Sequence, residues 1–273
     1  MSEMSKPNAN ATVKKESNLF SILVIPVSLA VCIIIYMFVL GNPGNFVNND
    51  THNNPKVGNY MGVVYKGGTI VPILMTLFLI VLIYVIERLL TIRKAKGEGD
   101  VDEFLKSVKS SLDKGDVPAA LKACDKQKGS VANVVKATLE KYKEMETETG
   151  MNKDQKILSI QKEVEEATSL ELPMLEKNLV FLATIASVAT LIGLLGTVLG
   201  MIKAFAALAI AGNPDATALA TGISEALINT ALGILTSAVA IIMYNFFTTK
   251  IDGLTYRIDE AGVSIAQSFA SRH

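Results

Sequence analysis

Four runs of predominantly apolar residues constrain this chain more than any other feature of its sequence. They cover 19–40, 69–90, 179–210 and 223–248. Each run has the roughly 20 residues that a helix needs to cross the hydrocarbon of a bilayer. The charges lie elsewhere: residues 88–178 hold 17 Lys and Arg and 17 Asp and Glu, 34 of the 52 charged side chains. The sequence therefore predicts an all-α membrane protein with four transmembrane helices, the longer of which extend into a helical domain.

Basic residues beside the four runs predict how the chain is oriented. They crowd the flanks at 1–18, 88–96 and 249–273, whereas the loop at 41–68 has only Lys56 and Lys66 and the loop at 211–222 has none. Because Lys and Arg concentrate in cytoplasmic flanks, both termini are predicted to be cytoplasmic, and the loops at 41–68 and 211–222 to face the other side of the membrane, which is the periplasm if the host is Gram-negative. The predicted order is a cytoplasmic tail (1–18), a transmembrane helix (19–40), a periplasmic loop (41–68), a transmembrane helix (69–90), a cytoplasmic helical domain (91–178), a transmembrane helix (179–210), a short periplasmic loop (211–222), a transmembrane helix (223–248) and a cytoplasmic tail (249–273).

Two local patterns refine this plan. The first run is about 22 residues long, and the Gly41-Asn-Pro-Gly that follows it offers no small-x-small cleavage site, so it is interpreted as a retained anchor rather than a secretory signal. In the charged region, Asp116 followed by Pro118 predicts the start of a helix. Apolar residues at helical spacing predict two more helices, over Ser130–Met145 and Lys153–Leu172, and Pro173 is expected to bend or interrupt the chain.

Several classes of function are disfavoured by composition. The 26 basic and 26 acidic side chains cancel, which gives no basic surface for nucleic acid. The two histidines, His52 and His273, are too few for a His-rich metal site. Gly97-Glu-Gly99 lacks the rest of a nucleotide-binding loop, and no nucleophile elbow is present. We therefore expect no enzyme activity, no metal and no cofactor.

Small residues recur on one face of each of the last two apolar runs. Steps of three and four keep them on one side of a helix. Lipid gives helices no hydrophobic reason to associate, so small residues that let backbones approach closely indicate packing interfaces. The predicted helix-packing residues are Gly193, Gly196 and Gly200 in the third run and Ala226, Gly233 and Ser237 in the fourth.

Polar residues lie among these small ones. Thr197 lies six residues before Lys203, and Thr230 lies six residues after Ser224. Each threonine is therefore about 9 Å further into the membrane than a polar residue near the outer end of its run. If the two helices are antiparallel neighbours, the two threonines lie at the same height. Glu225 is the only carboxylate in these two runs, and ionisable groups in membrane helices usually face a bundle interior. Two interpretations stay open. In one, the polar residues line a partly hydrated path. In the other, the stripes only hold a helix bundle together, and Glu225 and Lys203 lie at the interface between membrane and water. A proton path would also need Glu225 to act from near the outer end, or a carboxylate from another subunit.

These residues also form recognisable motifs. Gly193-Leu-Leu-Gly196-Thr197-Val-Leu-Gly200 and Gly222-Ile-Ser-Glu225-Ala-Leu-Ile-Asn-Thr230, with Tyr244-Asn245 at the end of the last run, closely resemble the ExbB/TolQ branch of the MotA/TolQ/ExbB proton-channel family. The resemblance covers about residues 69–260 and is strongest to ExbB.

The resemblance implies an inner-membrane channel subunit, typically a pentamer around ExbD- or TolR-like single-span partners. In the family the partner supplies a transmembrane Asp that carries the proton, and force passes to a TonB-like protein. It further implies that Thr197, Thr230 and Glu225 line the ion path and that the transported ion is H⁺.

The chain departs from the family pattern at three places. Leu199 stands where Trp is frequent, the fourth run has Ser237-Ala-Val-Ala where the family has a Pro, and the helix at 19–40 is additional to the usual three-span plan. The leading interpretation is an ion-driven motor subunit that energises TonB-dependent transport. TolQ-like envelope maintenance, a motility motor and a non-conducting membrane scaffold are the alternatives.

Overall fold

The computed structural model describes residues 19–209 and 216–272, and most of that part of the chain is helical, with the helices joined by turns and irregular stretches. The predicted tail at 1–18, His273 and the first half of the predicted loop at 211–222 lie outside the described residues. The helices are α1 (Leu19–Ile34), α2 (Tyr60–Tyr65), α3 (Val71–Lys96), α4 (Val101–Asp113), α5 (Val117–Gln127), α6 (Gly129–Thr147), α7 (Lys153–Glu176), α8 (Leu179–Leu208) and α9 (Ala216–Arg272). A π-helical turn, Ile35–Leu40, extends α1. Among the described residues, β-type pairing is limited to one bridge between Phe46 and Pro55.

The described part of the chain contains four helical stretches that are long and apolar enough to cross a membrane. They contain α1 with its extension, α3, α8 and α9, so the predicted number of spans and the all-α class are confirmed. This is a membrane protein. The four apolar runs that constrain the sequence are therefore the four helices that carry the fold.

The helix ends follow local sequence signals. Asp116 Oδ1 accepts a hydrogen bond from Ala119 N and so caps α5 as predicted. Asn152 and Gln155 form a reciprocal capping box at the start of α7. Pro173 lies inside α7, and the chain breaks only after Glu176, where Asn178 adopts a left-handed φ of 68°. The interruption expected at Pro173 thus comes a few residues later.

The last helix differs most from the predicted plan. Instead of a span at 223–248 followed by a separate tail, α9 is one helix of 57 residues. Its second half buries apolar side chains at steps of three and four, among them Phe247, Ile251, Leu254 and Ile258. The helix therefore continues out of the membrane because the helical domain covers one of its faces.

The helical domain is built from α4 to α7 and the second half of α9. Its core holds fully buried Leu139, Tyr142 and Ile160, and the Tyr142 ring meets Phe269 of α9 edge to face at 5.0 Å. Arg88, near the end of the second run, is buried there rather than lying at a surface: it pairs with Glu87, and its Nη1 donates to Leu175 O at 3.0 Å. Arg88 thereby ties α3 to the end of α7.

In the membrane region, α8 and α9 pack along each other, α3 packs on α9, and α1 packs on α3. The α1 side chains that are buried lie four residues apart, at Val24, Ser28 and Cys32. Most other described side chains of α1 are exposed, including Leu23 and Val27. This single stripe makes α1 a peripheral helix attached through α3.

Candidate functional site

Glycines hold α8 and α9 unusually close where residues 186–204 of α8 pack against residues 222–237 of α9. We call this helix–helix interface the seam. A Cβ added to Gly200 would lie 2.7 Å from Gly222 O and 2.8 Å from Ala226 N. At the other end, a Cβ on Gly233 would lie 2.7 Å from Ala189 O. Pairing of residue 200 with 222 and of 189 with 233 shows that the helices run antiparallel.

All six predicted helix-packing residues lie on this seam. Gly193 faces Gly233, Gly196 faces Asn229, and Gly200 faces Ala226. Ser237 contributes a further link, because its hydroxyl donates to Ala186 O on α8. The small-residue stripes of the sequence are thus the two sides of one helix–helix interface.

The hydroxyls of Thr197 and Thr230 meet across the seam in a direct hydrogen bond. Each hydroxyl also lies within reach of a carbonyl on its own helix, Thr197 of Gly193 O at 3.3 Å and Thr230 of Ala226 O at 3.2 Å. Both residues are only half-buried. The geometry is the one predicted from their equal depth, and it places two polar groups together in an apolar, glycine-lined interface.

Glu225 lies nearer the outer end of the seam, one and a half turns from Thr230. Its side chain is 9% exposed, and its Oε1 lies 2.6 Å from Lys203 Nζ on α8. On the other side is Gly68, where φ is +76° and an added Cβ would overlap Glu225 Oε1. A buried carboxylate needs a partner, and here the partner is a half-exposed lysine.

Asn229 connects the seam to the start of α3. Its side chain is fully buried, and its Nδ2 donates to Gly67 O at 2.9 Å. Its Oδ1 has no hydrogen-bond partner within the described part of the chain. The turn at Gly67 and Gly68 therefore contacts α9 at two positions about one helical turn apart, Glu225 and Asn229.

The structure thus places the three predicted ion-path residues on one seam and adds four that the sequence interpretation did not assign to the site: Lys203, Asn229, Gly67 and Gly68. Lys203, which the sequence analysis placed at the interface in one of its two interpretations, is the ion-pair partner of Glu225. The depth comparison used for the threonines could have found this pair, since Lys203 and Glu225 flank the same loop. Nothing in the sequence indicated that Gly67 and Gly68 would meet α9. The described residues contain no group of three His, Cys, Asp or Glu that could hold a metal ion.

A model of the MotA/TolQ/ExbB proton channel family matches residues 126–260. This range contains the whole α8–α9 seam with Thr197, Thr230, Lys203 and Glu225. The chain belongs to the MotA/TolQ/ExbB proton channel family. In this MotA/TolQ/ExbB protein the matched range also contains α6 and α7, so the family resemblance covers the seam and part of the helical domain.

Individual relatives come from the ExbB/TolQ branch. The Tol-Pal system protein TolQ of Pseudomonas aeruginosa is 32% identical over 127 residues, 46% of this chain and 55% of the relative. The biopolymer transport protein ExbB of Pseudomonas putida is 37% identical over 84 residues, 31% of this chain and 26% of the relative. A putative biopolymer transport protein ExbB homolog of Methanothermobacter thermautotrophicus is 26% identical over 198 residues, 71% of this chain and 66% of the relative. The matched segment thus spans about half the length of the TolQ relative and about a quarter of the P. putida ExbB.

Proposed function

We propose that this chain is a proton-channel subunit of an inner-membrane motor that uses the proton motive force to energise TonB-dependent outer-membrane transport. In this proposal it forms a homo-oligomer, with a pentamer expected, around an ExbD- or TolR-like single-span partner. The partner supplies the transmembrane Asp that carries the proton, and a TonB-like protein receives the force. The subunit itself catalyses no reaction and holds no cofactor.

The observation that carries the proposal is the Thr197–Thr230 hydroxyl pair. Two half-buried hydroxyls that meet in a glycine-lined interface offer hydrogen-bond donors and acceptors within it. Each is already within reach of a carbonyl on its own helix, so each can exchange one partner for water or for a protonated carboxyl without being left unsatisfied. That versatility suits a path along which a proton passes to and from a mobile Asp.

The Glu225–Lys203 pair supports a defined outer end for this path. The carboxylate is buried and the lysine is half-exposed, so the charge of Glu225 is balanced from the side that faces water. Asn229 and the glycine turn before α3 hold the same stretch of α9 in place. A fixed carboxylate at this level is consistent with an entrance for protons.

An oligomer is supported by the apolar residues that α8 and α9 leave uncovered. Leu194, Leu195, Val198 and Leu199 of α8 are 39–55% exposed in the single chain, and so are Ile234 and Leu235 of α9. These side chains lie at the level of the threonine pair, so neighbouring subunits, partner helices or lipid must cover them. The proposal assigns part of that surface to copies of the same chain.

The orientation in the proposal has both termini in the cytoplasm. It rests on the basic residues that begin where α3 leaves the apolar run, including Arg93, Lys94 and Lys96, and on the positive-inside rule. The peripheral α1 would then lie on the outside of the ring, since it is attached through α3 rather than through the seam. Crosslinks from Val27→Cys, on the exposed face of α1 and in a Cys32→Ser background, only to central partner subunits would contradict that placement.

A TolQ-like role in envelope maintenance is the second candidate, because a relative named as a Tol-Pal system protein matches 127 residues of this chain at 32% identity. The two roles share the proposed ion path and differ in the complex that the force reaches. They are distinguished by the phenotype of the deletion strain rather than by the geometry of the seam.

The test is growth of a deletion strain on a nutrient that requires TonB-dependent uptake. The strain carries the wild type, Thr197→Val/Thr230→Val or a matched control, Thr76→Val/Thr236→Val. The control removes two buried hydroxyls that donate to carbonyls of their own helices, Pro72 O and Leu232 O. We expect the seam variant to lose growth at normal abundance and partner co-purification, and the control to grow.

Growth of the seam variant at the wild-type rate would refute a role for the hydroxyls in the ion path. If the deletion strain itself grows on that nutrient but becomes sensitive to detergent, TonB-dependent transport is the wrong pathway and the TolQ-like role takes its place. If the deletion has neither phenotype, both motor roles fail.

A further inference from the structure

A groove of about 490 Å³ lies between the end of α3 and the middle of α9, at the border between the membrane region and the helical domain. Both helices change character at the same level along it. On α3, Leu89 is followed one turn later by Arg93, and on α9 Phe246 is followed one turn later by Lys250. The groove therefore has an apolar end toward the hydrocarbon and a basic end toward water.

Four cationic side chains line the basic end: Arg93, Lys96, Lys250 and Arg257. No carboxylate is among the described residues that line the groove. Two of the cations have acidic neighbours outside it, since Arg257 Nη2 lies 3.1 Å from Asp102 Oδ2 and Lys96 Nζ lies 3.9 Å from Asp100 Oδ2.

The other two cations lack such neighbours. Arg93 and Lys250 form no ion pair with a carboxylate in the described part of the chain, and Lys250 Nζ lies 5.7 Å from the centroid of the Phe246 ring. Both side chains line the same groove from different helices, so their positive charges repel each other. An anion placed between Arg93 and Lys250 would relieve that repulsion.

The apolar end selects among anions. Leu89 and Phe246 are 46% and 44% exposed, and fully buried Phe247 forms part of the wall behind them. Inorganic phosphate would leave these side chains uncovered. A molecule with a phosphate at one end and a hydrocarbon chain at the other would cover both ends of the groove.

We propose that this groove binds an anionic phospholipid, with the phosphate between Arg93 and Lys250 and an acyl chain against Leu89 and Phe246. Basic pockets between membrane helices are suited to acidic lipid headgroups, and each Lys or Arg strengthens attraction to an acidic lipid. The lipid would hold the end of α3 against the middle of α9 and fix the depth of both helices in the bilayer. This site is separate from the α8–α9 seam and does not depend on ion conduction.

The test is native mass spectrometry of the full chain purified in a neutral detergent. Three separate samples receive phosphatidylglycerol, phosphatidylcholine with the same acyl chains, or phosphatidylglycerol together with an equimolar amount of inorganic phosphate. We expect the wild type to retain phosphatidylglycerol in preference to phosphatidylcholine. Arg93→Gln/Lys250→Gln should weaken phosphatidylglycerol binding about 30-fold, and the charge-retaining Arg93→Lys/Lys250→Arg should keep most of it.

The matched control is Lys94→Gln/Lys122→Gln, which removes the same number of charges outside the groove. Lys94 lies on the same turn of α3 but lines a different cavity, together with Glu87 and Glu98. An equal loss of phosphatidylglycerol in the two Gln variants would overturn the proposal, because general positive charge would then account for binding.

Three other results would also overturn it. Equal retention of phosphatidylglycerol and phosphatidylcholine would remove the role of headgroup charge. Displacement of phosphatidylglycerol by equimolar inorganic phosphate would make the site one for free phosphate. Absence of lipid from the wild type, together with loss of the oligomer in the Arg93→Gln/Lys250→Gln variant, would show that another copy of the chain occupies the groove.

Discussion

Adding one methyl group at Gly200 is the most direct perturbation of the α8–α9 seam. The new Cβ would lie 2.7 Å from Gly222 O, 2.8 Å from Ala226 N and 2.9 Å from Ala226 Cβ. Ordinary carbon contacts lie near 3.5–4.0 Å, and two of these three neighbours are backbone atoms that cannot rotate away. Gly200→Ala must therefore push the helices apart locally.

The size of the effect follows from a comparison with Gly253→Ala on α9, where an added Cβ would meet nothing within 4 Å. Both substitutions gain the same helix propensity, about 1 kcal/mol for Gly to Ala, so this gain cancels in the difference. Overpacking of a tight interface costs about 1–3 kcal/mol. We therefore expect Gly200→Ala to lower the free energy of unfolding by about 1–3 kcal/mol relative to Gly253→Ala.

The assay is thermal unfolding of the purified chain in one detergent, followed by far-UV circular dichroism and by the fraction that stays monodisperse. At about 2–4 °C per kcal/mol for chains of 150–250 residues, the two variants should differ in Tm by roughly 2–12 °C. Equal Tm values for Gly200→Ala and Gly253→Ala would refute the close approach of the backbones on which the site depends.

Three further predictions concern other parts of the molecule. Lys203→Met should lower the free energy of unfolding by about 1–2 kcal/mol, which is less than for a fully buried ion pair because Lys203 is half-exposed. Adding Glu225→Gln to this variant should restore its Tm, and additive losses of Tm in the double variant would contradict the ion pair. Burial raises the pKa of the Cys124 thiol to about 12, so at pH 7.5 the thiol stays neutral. In a variant without Cys32 we therefore expect Cys124 to resist labelling by maleimide, whereas a cysteine introduced at an exposed position by Ser110→Cys should react. Equal labelling of the two positions would contradict the burial of Cys124. Asn152→Ala should cost about 1 kcal/mol and Asn152→Asp much less, measured as Tm, because Asn152 caps α7; equal Tm shifts would rule out a role for the cap.

The seam was predictable because its geometry depends on spacing alone. Steps of three and four put the glycines on one face, and counting 1.5 Å per residue from the outer ends brought Thr197 and Thr230 to one height. Neither argument needs the direction of a long side chain. Lys203 shows the limit of this reasoning, since a flexible four-carbon side chain at the same depth can reach water, lipid or Glu225, and only the packed structure decides among them.

The end of α9 could not be predicted from the apolar run. Hydropathy falls after Thr248 because the chain leaves the hydrocarbon, but the backbone hydrogen bonds of the helix do not require lipid. The signal for continuation was the spacing of Ile251, Leu254 and Ile258, which is weaker than a membrane run and depends on a partner surface. The contacts of Gly67 and Gly68 with α9 had no signal at all, since they join turns and helices far apart in the sequence.

The continuity of α9 couples two distant regions mechanically. Thr230 and Phe269 are separated by 39 residues of unbroken helix, about 58 Å at 1.5 Å per residue. A tilt of about 5° at the threonine pair would therefore displace the end that carries Phe269 by about 5 Å. Since the Phe269 ring packs against Tyr142, such a tilt has to move the helical domain or strain the helix. A small rearrangement within the bilayer thereby becomes a displacement about as long as a side chain in the domain outside the bilayer.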